Sequence, residues 1–117
     1  MNKHHELRKI ARTDLSVTAL GLGTAPLGGL YAAVEESAAL AVIEEAIAQG
    51  VKYFDTAPLY GNGLAEIRLG KGLGTARAKV VTISTKVGRL LIKDGQGNPN
   101  QTTFDYTAQG MRQAMAE

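Results

Sequence analysis

The chain has 117 residues, and its 13 Lys plus Arg against 11 Asp plus Glu leave a formal net charge of +2. Apolar residues make up 44% and charged residues 21%, a globular balance that argues against disorder and fits a single domain. The weak charge, with cations interleaved among glutamates and only 5% aromatic residues, argues against a nucleic-acid surface built on phosphate neutralisation or base stacking. There is no Cys, hence no disulfide, thiolate nucleophile or Cys-ligated metal, and no metal site is expected. A cytoplasmic, reducing setting fits that composition. The only histidines, His4 and His5, lie in the first few residues, so chemistry in the body of the chain has no imidazole to draw on. The first ten residues carry charge but no apolar stretch of the secretory kind. The longest apolar run, residues 38–43, falls far short of the roughly 20 residues a membrane helix needs, so no membrane partner is expected.

In chain order, residues 7–18 read as two short extended arms around a polar turn at Thr13 and Asp14. Residues 19–23 read as a short apolar strand ending in glycine, and 24–34, with Pro26, Gly28 and Gly29, as a loop. Residues 35–49 are the clearest helix: Leu40, Ile43 and Ile47 recur at helical spacing beside Ala39, Val42 and Ala46. Glu35 and Glu36 suit its first turn, and Gly50 supplies a left-handed stop. Residues 51–55 form a strand, 56–63 a loop and 64–73 a second helix, followed by a β-branched strand over 79–86. Residues 88–105 read as a long polar loop and 106–117 as a third helix.

Alternating strands and helices imply parallel strands with right-handed crossovers. Such a three-stranded sheet has two unpaired edges, and residues 111–117 are good helix sequence with no stop signal. The expectation is one α/β domain over residues 1–117, the front part of something longer.

Asp55 and Lys86 end successive parallel strands about 30 residues apart, the length of one βαβ unit. The C-terminal ends of such strands are where active sites gather, and adjacent strands lie about 4.8 Å apart. Tyr60 follows on the loop after Asp55. A free phenol keeps its proton to a pH near 10. A neighbouring ammonium favours the phenolate, and a carboxylate paired to that ammonium keeps it charged and in place. Tyr60 is thereby a candidate general acid/base, Lys86 its tuner and Asp55 the anchor of Lys86. The same residues also have plainer roles open to them. Asp55 caps turns well, Tyr60 suits half-buried packing, and Lys86 suits a strand end that snorkels to water.

Other signals fail on inspection. The stretch from Gly21 begins like a dinucleotide fingerprint, but Pro26 stands where the third glycine belongs and no helix follows. The stretch from Asp94 resembles a calcium loop, but Pro99 replaces its glycine. Arg89 touches ligand or is solvated, and Glu44 and Glu45 read as a solvated helix face.

Four segments, in order, resemble the aldo-keto reductases: Arg12-Thr-Asp-Leu-Ser-Val, Leu20-Gly-Leu-Gly-Thr-Ala, Tyr53-Phe-Asp-Thr-Ala-Pro-Leu-Tyr-Gly and Ile83-Ser-Thr-Lys-Val-Gly-Arg. The nearest branch is the bacterial aldose dehydrogenases of D-threo and L-fucose-type sugars, with the related pyridoxal dehydrogenases. The resemblance implies the N-terminal part of a (β/α)8 TIM barrel, left incomplete, with a β-hairpin plugging its N-terminal end. It implies hydride transfer between NADP or NAD and a sugar or small aldehyde. Of the family's tetrad of Asp, Tyr, Lys and His, the first three match Asp55, Tyr60 and Lys86, and no residue matches the His. Gly23, Thr24 and Asp55 match contacts on the nicotinamide side, although Gly23 equally suits a tight turn needing positive φ. The alternative is a non-catalytic barrel fragment that acts, if at all, by self-association through open sheet edges.

Overall fold

The computed structural model describes residues 3–117. Strands β1 (Leu7–Lys9) and β2 (Ser16–Thr18) pair antiparallel, with Leu7 opposite Thr18. Their turn closes on Thr13, whose hydroxyl donates to the Ile10 carbonyl at 2.6 Å. The hairpin lies across the N-terminal ends of the next strands. Thr18 Oγ1, buried, accepts from the Lys52 N–H at 3.0 Å, and Thr82 Oγ1 donates to the Ser16 carbonyl at 2.7 Å. These are the contacts expected of a plug.

Strands β3 (Leu22–Gly23), β4 (Tyr53–Asp55) and β5 (Thr82–Ser84) form a parallel sheet in the order β3-β4-β5. The register aligns Leu22, Phe54 and Ile83, and one step on Gly23, Asp55 and Ser84. The strands are shorter than the sequence suggests: residues 19–23 pair only at 22–23, and 79–86 only at 82–84. Val80 is 68% exposed, in a turn whose N–H donates to the Arg77 carbonyl. Its β-branched side chain suits a pleated surface, but no partner strand reaches it.

Helices α1 (Glu36–Ala48) and α2 (Leu64–Ala78) cover one face of the sheet. Phe54 is fully buried in a cluster with Ile43, Val51, Leu69 and Leu73. Burial of such a side chain contributes about 1.5–3 kcal/mol. The buried line of α1 runs through Ala39 and Ile43, with Ala46 and Ile47 partly covered. Leu40 is only half-buried, and Val42 is exposed, because at 100° per residue they fall beside the contact line. Gly50, at φ 85°, ends the helix in the left-handed region as the sequence implies.

α2 passes the expected end at residue 73, but Gly74, at φ 68° and ψ 171°, breaks it. Arg77 bridges the break by donating to the carbonyls of Leu73 at 2.9 Å and Gly72 at 2.7 Å. It also pairs with Glu44 at 2.9 Å, so Glu44 is a strut between the helices and not simply a solvated face. This contact, together with the Arg77 charge, holds the Glu44 carboxyl below its ordinary range.

The largest departure is residues 88–105. The expected loop is a β-hairpin of β6 (Arg89–Lys93) and β7 (Pro99–Phe104), with Arg89 opposite Phe104. The Asp94 carboxylate accepts from the N–H groups of Gln96 and Asn98, both at 2.9 Å, and Gly97 takes φ 85° to complete the turn. The Asp-Gly-Gln-Gly stretch is thus a hairpin turn, not a loose segment, and its flanking Leu90, Ile92, Thr102 and Thr103 had the composition to say so. After it, α3 (Ala108–Ala116) is capped by Thr107, whose Oγ1 accepts from the Gly110 N–H at 3.1 Å.

Among the described residues the parallel sheet has free edges at β3 and β5 and does not close on itself. Among the described residues no helix is long and apolar enough to cross a membrane.

Candidate active site

The C-terminal ends of β4 and β5 carry the charged pair. Lys86, two residues beyond β5, places Nζ 3.3 Å from Asp55 Oδ2 and donates to the Thr56 carbonyl at 3.0 Å. The same Nζ stands 5.0 Å from the centre of the Tyr60 ring, within cation–π range. The three residues singled out from the sequence therefore converge. Burial alone would lower the Lys86 amine, but contact with Tyr60 and with the Asp55 carboxylate outweighs it, and the net shift is upward from 10.5. The Lys86 side chain is 53% exposed, so a snorkelling lysine describes its solvent access but not its partners.

Tyr60 is half-buried on a tightly folded loop. Its carbonyl accepts from the Ala65 N–H at 3.0 Å, and the Gly63 N–H donates to Pro58 at 2.8 Å. The loop rests against a 3-10 turn at Ala25–Gly28, where the expected loop of residues 24–34 is ordered. A side chain at Gly61 would collide with the Gly28 carbonyl oxygen, so glycine allows the two backbones to meet. From below, buried Arg68 on α2 donates to the Leu27 carbonyl at 2.6 Å.

Thr24 is fully buried and directs both its N–H, at 2.9 Å, and its hydroxyl, at 3.0 Å, to the Asp55 carbonyl. It fixes the backbone of Asp55. Gly23 is exposed, its φ is not positive, and a Cβ there would meet nothing within 4 Å. The tight-turn explanation for Gly23 therefore fails, and the strand end is open to close approach.

Two features escaped the sequence. Ser84, directly across from Asp55, donates its hydroxyl to Asp55 Oδ1 at 2.6 Å. A cavity of about 300 Å³ opens beside Tyr60 and Lys86, walled in part by Pro58, Val87, Arg89, Phe104 and Tyr106. Phe104 and Tyr106 stack with ring centres 5.9 Å apart, and the Arg89 guanidinium lies 4.4 Å from the Phe104 ring centre. Arg89 is thus neither free nor simply solvated. A loop assignment hid these aromatic residues, whereas the hairpin brings them to the mouth of the site.

Parallel β–α units over a plugging hairpin, with charged groups at the C-terminal strand ends, define part of a (β/α)8 barrel. Comparison with known proteins agrees. Residues 19–117 match the model of the Aldo/keto reductase family, and the chain belongs to that family. It is 52% identical over 95 residues to the pyridoxal 4-dehydrogenase of Microbacterium luteolum, covering 81% of this chain and 28% of that protein. It is 38% identical to the D-threo-aldose 1-dehydrogenase of a Pseudomonas species, covering 92% of this chain and 37% of that protein. The holo form of aldo-keto reductase AKR11C1 from Bacillus halodurans superposes with a TM-score of 0.77 at 31% identity, covering 97% of this chain and 35% of that one. The chain thus corresponds to the N-terminal portion of these proteins and spans about a third of their length.

Proposed function

We propose that residues 1–117 supply the proton-transfer half of an NAD(P)-dependent oxidoreductase site, acting on C1 of an aldose or on a similar small aldehyde. The observation that carries this reading is the Lys86–Asp55 pair at 3.3 Å, with the ammonium 5.0 Å from the Tyr60 ring centre at the strand ends. A tyrosine gives or takes a proton efficiently only where its phenolate is stabilised, and a held ammonium does that. Tyr60 transfers the proton at the substrate oxygen, Lys86 stabilises the charge left on the phenol, and Asp55 keeps Lys86 in place. The pyridoxal and D-threo-aldose dehydrogenases among the relatives support an aldehyde or sugar as substrate.

NAD or NADP, when bound, supplies or accepts the hydride. Gly23, at the open end of β3, and Asp55 beside it would hold its nicotinamide side, with buried Thr24 acting through the Asp55 backbone. No residue of this chain stands in for the histidine of the family tetrad, so by this reading residues 1–117 alone turn over no substrate. A cytoplasmic place of action belongs to the same reading.

The test is a chimera in which residues 1–117 replace the matching portion of the Pseudomonas D-threo-aldose 1-dehydrogenase. Sugar oxidation is followed through nicotinamide absorbance at alkaline pH. An active chimera that loses about 10²–10⁴-fold in kcat on Tyr60→Phe supports the assignment. Undiminished activity in that variant overturns it.

A second reading concerns the chain by itself. The β3 and β5 edges present unpaired backbone groups, and Ile83 on the edge strand is 42% exposed. This favours self-association through the sheet edges. Sedimentation of the 117-residue chain as a monomer with a cooperative melt would count against it.

A further inference from the structure

Within that reading of the site, we infer that Ser84 and Tyr53 are positioning residues: a two-hydroxyl relay that fixes the Asp55 carboxylate so that only Oδ2 is left to hold Lys86. The relay is written in the register. Tyr53 and Asp55 are two apart on β4 and share a face, and Ser84 lies directly opposite Asp55 on β5. Opposite residues on neighbouring strands touch, and a diagonal neighbour is within reach of an aromatic side chain. Ser84 Oγ stands 2.6 Å from Asp55 Oδ1 and 2.9 Å from the Tyr53 hydroxyl.

The directions of these bonds follow from donor counting. A carboxylate only accepts, so the single Ser84 proton points to Asp55 Oδ1. The Ser84 oxygen is then the acceptor, and Tyr53 is the donor. Each oxygen of Asp55 has its own partner, Ser84 on Oδ1 and Lys86 on Oδ2, which stops rotation of the carboxylate. A bond into a charged acceptor is shorter and stronger than a neutral one, and here the shorter of the two bonds is the one that ends on Asp55.

A third residue makes room for the relay. A Cβ at Gly21 would lie 2.5 Å from Cδ2 of Tyr53, so the tyrosine ring lies against the backbone just before β3. The relay thus joins all three neighbouring segments of the sheet. Its output is the position and charge of Lys86, which contact with Asp55 helps to raise.

The experiment uses the 117-residue chain and needs no turnover. Trace acetylation across a pH series, read by mass spectrometry of the peptide bearing Lys86, gives the pKa of that amine, with Lys93 as internal reference. Ser84→Ala should lower the Lys86 value, and by more than any other substitution in the series. Tyr53→Phe and Gly21→Ala should lower it less, and Ser84→Thr, which keeps the hydroxyl, should leave it near the unchanged chain. Lys93 should not move. A Lys86 value unaffected by Ser84→Ala, or lowered as much by Ser84→Thr, overturns the inference. Where Ser84→Ala fails to fold by circular dichroism, Tyr53→Phe and Gly21→Ala decide, and no shift in either overturns it equally. A Lys86 shift alongside a chimera whose activity is undiminished by Tyr60→Phe would uphold the relay and remove the Tyr60 proton-transfer reading, whereas a Tyr60-dependent chimera with no shift would do the reverse.

Discussion

The two faces of the β3–β4–β5 sheet come from the same few residues, yet they do opposite work. Phe54 points into the helices and is fully buried, while its neighbours Tyr53 and Asp55 point the other way and are half-buried among polar partners. On the covered face, α1 and α2 build a core of aliphatic side chains around one aromatic ring. On the open face, hydroxyl, carboxylate and ammonium groups meet through directed bonds. The period of two along a strand thus separates the apolar core from the polar cluster within three residues. A polar group on the covered face would be stranded, and a large apolar side chain at Ser84 would displace the Asp55 contact.

The sharpest way to break the contrast is Phe54→Ala. Loss of a fully buried ring should cost about 3–5 kcal/mol in denaturant unfolding. Ile83, its partner in register, is 42% exposed, and Ile83→Ala should cost well under half as much. A similar loss at both positions would mean that the central strand and the β5 edge are equally covered, contrary to the structure.

Next in size is Arg68, whose guanidinium crosses from the covered side to the Leu27 carbonyl beneath the Tyr60 loop. Arg68→Leu keeps apolar bulk but leaves that carbonyl without its charged donor, and should cost about 1.5–3 kcal/mol. Hydrogen exchange should quicken at residues 25–28 before it does so in β4. Unchanged protection there would detach Arg68 from the support of the site.

A smaller effect is expected where the helices touch. A Cβ at Gly72 would lie 2.8 Å from Cγ2 of Ile43, so Gly72→Ala crowds the contact of α1 with α2. Overpacking costs about 1–3 kcal/mol, and the better helix propensity of alanine returns up to about 1. A net loss should appear as a lower Tm, and a higher Tm would show that Ile43 can yield.

The smallest expected effects are electrostatic and depend on pH. The Lys86 amine is raised when folded, so its contribution to stability is complete below 10.5 and fades as pH climbs through the higher folded value. Asp105 behaves in the opposite way. Bonds from Thr107 hold its carboxyl below 3.8, so its contribution is present above that value and fades as pH falls through the folded one. Helicity of α3 monitored through the acid range should fall there, and Asp105→Asn should flatten the response. The open face should answer at high pH and the α3 cap at low pH. A Lys86-dependent part of the stability that does not fade at alkaline pH would contradict the assigned pairing.

The site was legible because its residues carry local signals. Asp55 and Lys86 stand at strand ends spaced by one βαβ unit, and Tyr60 sits on the intervening loop, so counting along the chain brings them together. The α1 stop at Gly50 and the first hairpin were visible for the same reason, since turns and caps use a few residue types at fixed positions. The hairpin over residues 88–105 was not, because glycine and asparagine near its tip masked strand-forming residues on either side. That Leu40 and Val42 fall beside the contact line of α1 was not legible, because a helical stripe in sequence gives a face, while the contact line within that face depends on where α2 lies.

Sequence alone determined the alternation of strands and helices, and with it which end of the sheet would hold the charged residues, since both follow from periodicity and from the handedness of parallel crossovers. Only the tertiary structure decided which oxygen of Asp55 faces Lys86, that Ser84 occupies the other, and that Phe104 and Tyr106 wall the adjoining cavity. Those contacts join residues far apart in the chain. They depend on strand register and on the packing of a hairpin, which are set by the balance of many contacts at once and by no single stretch of residues.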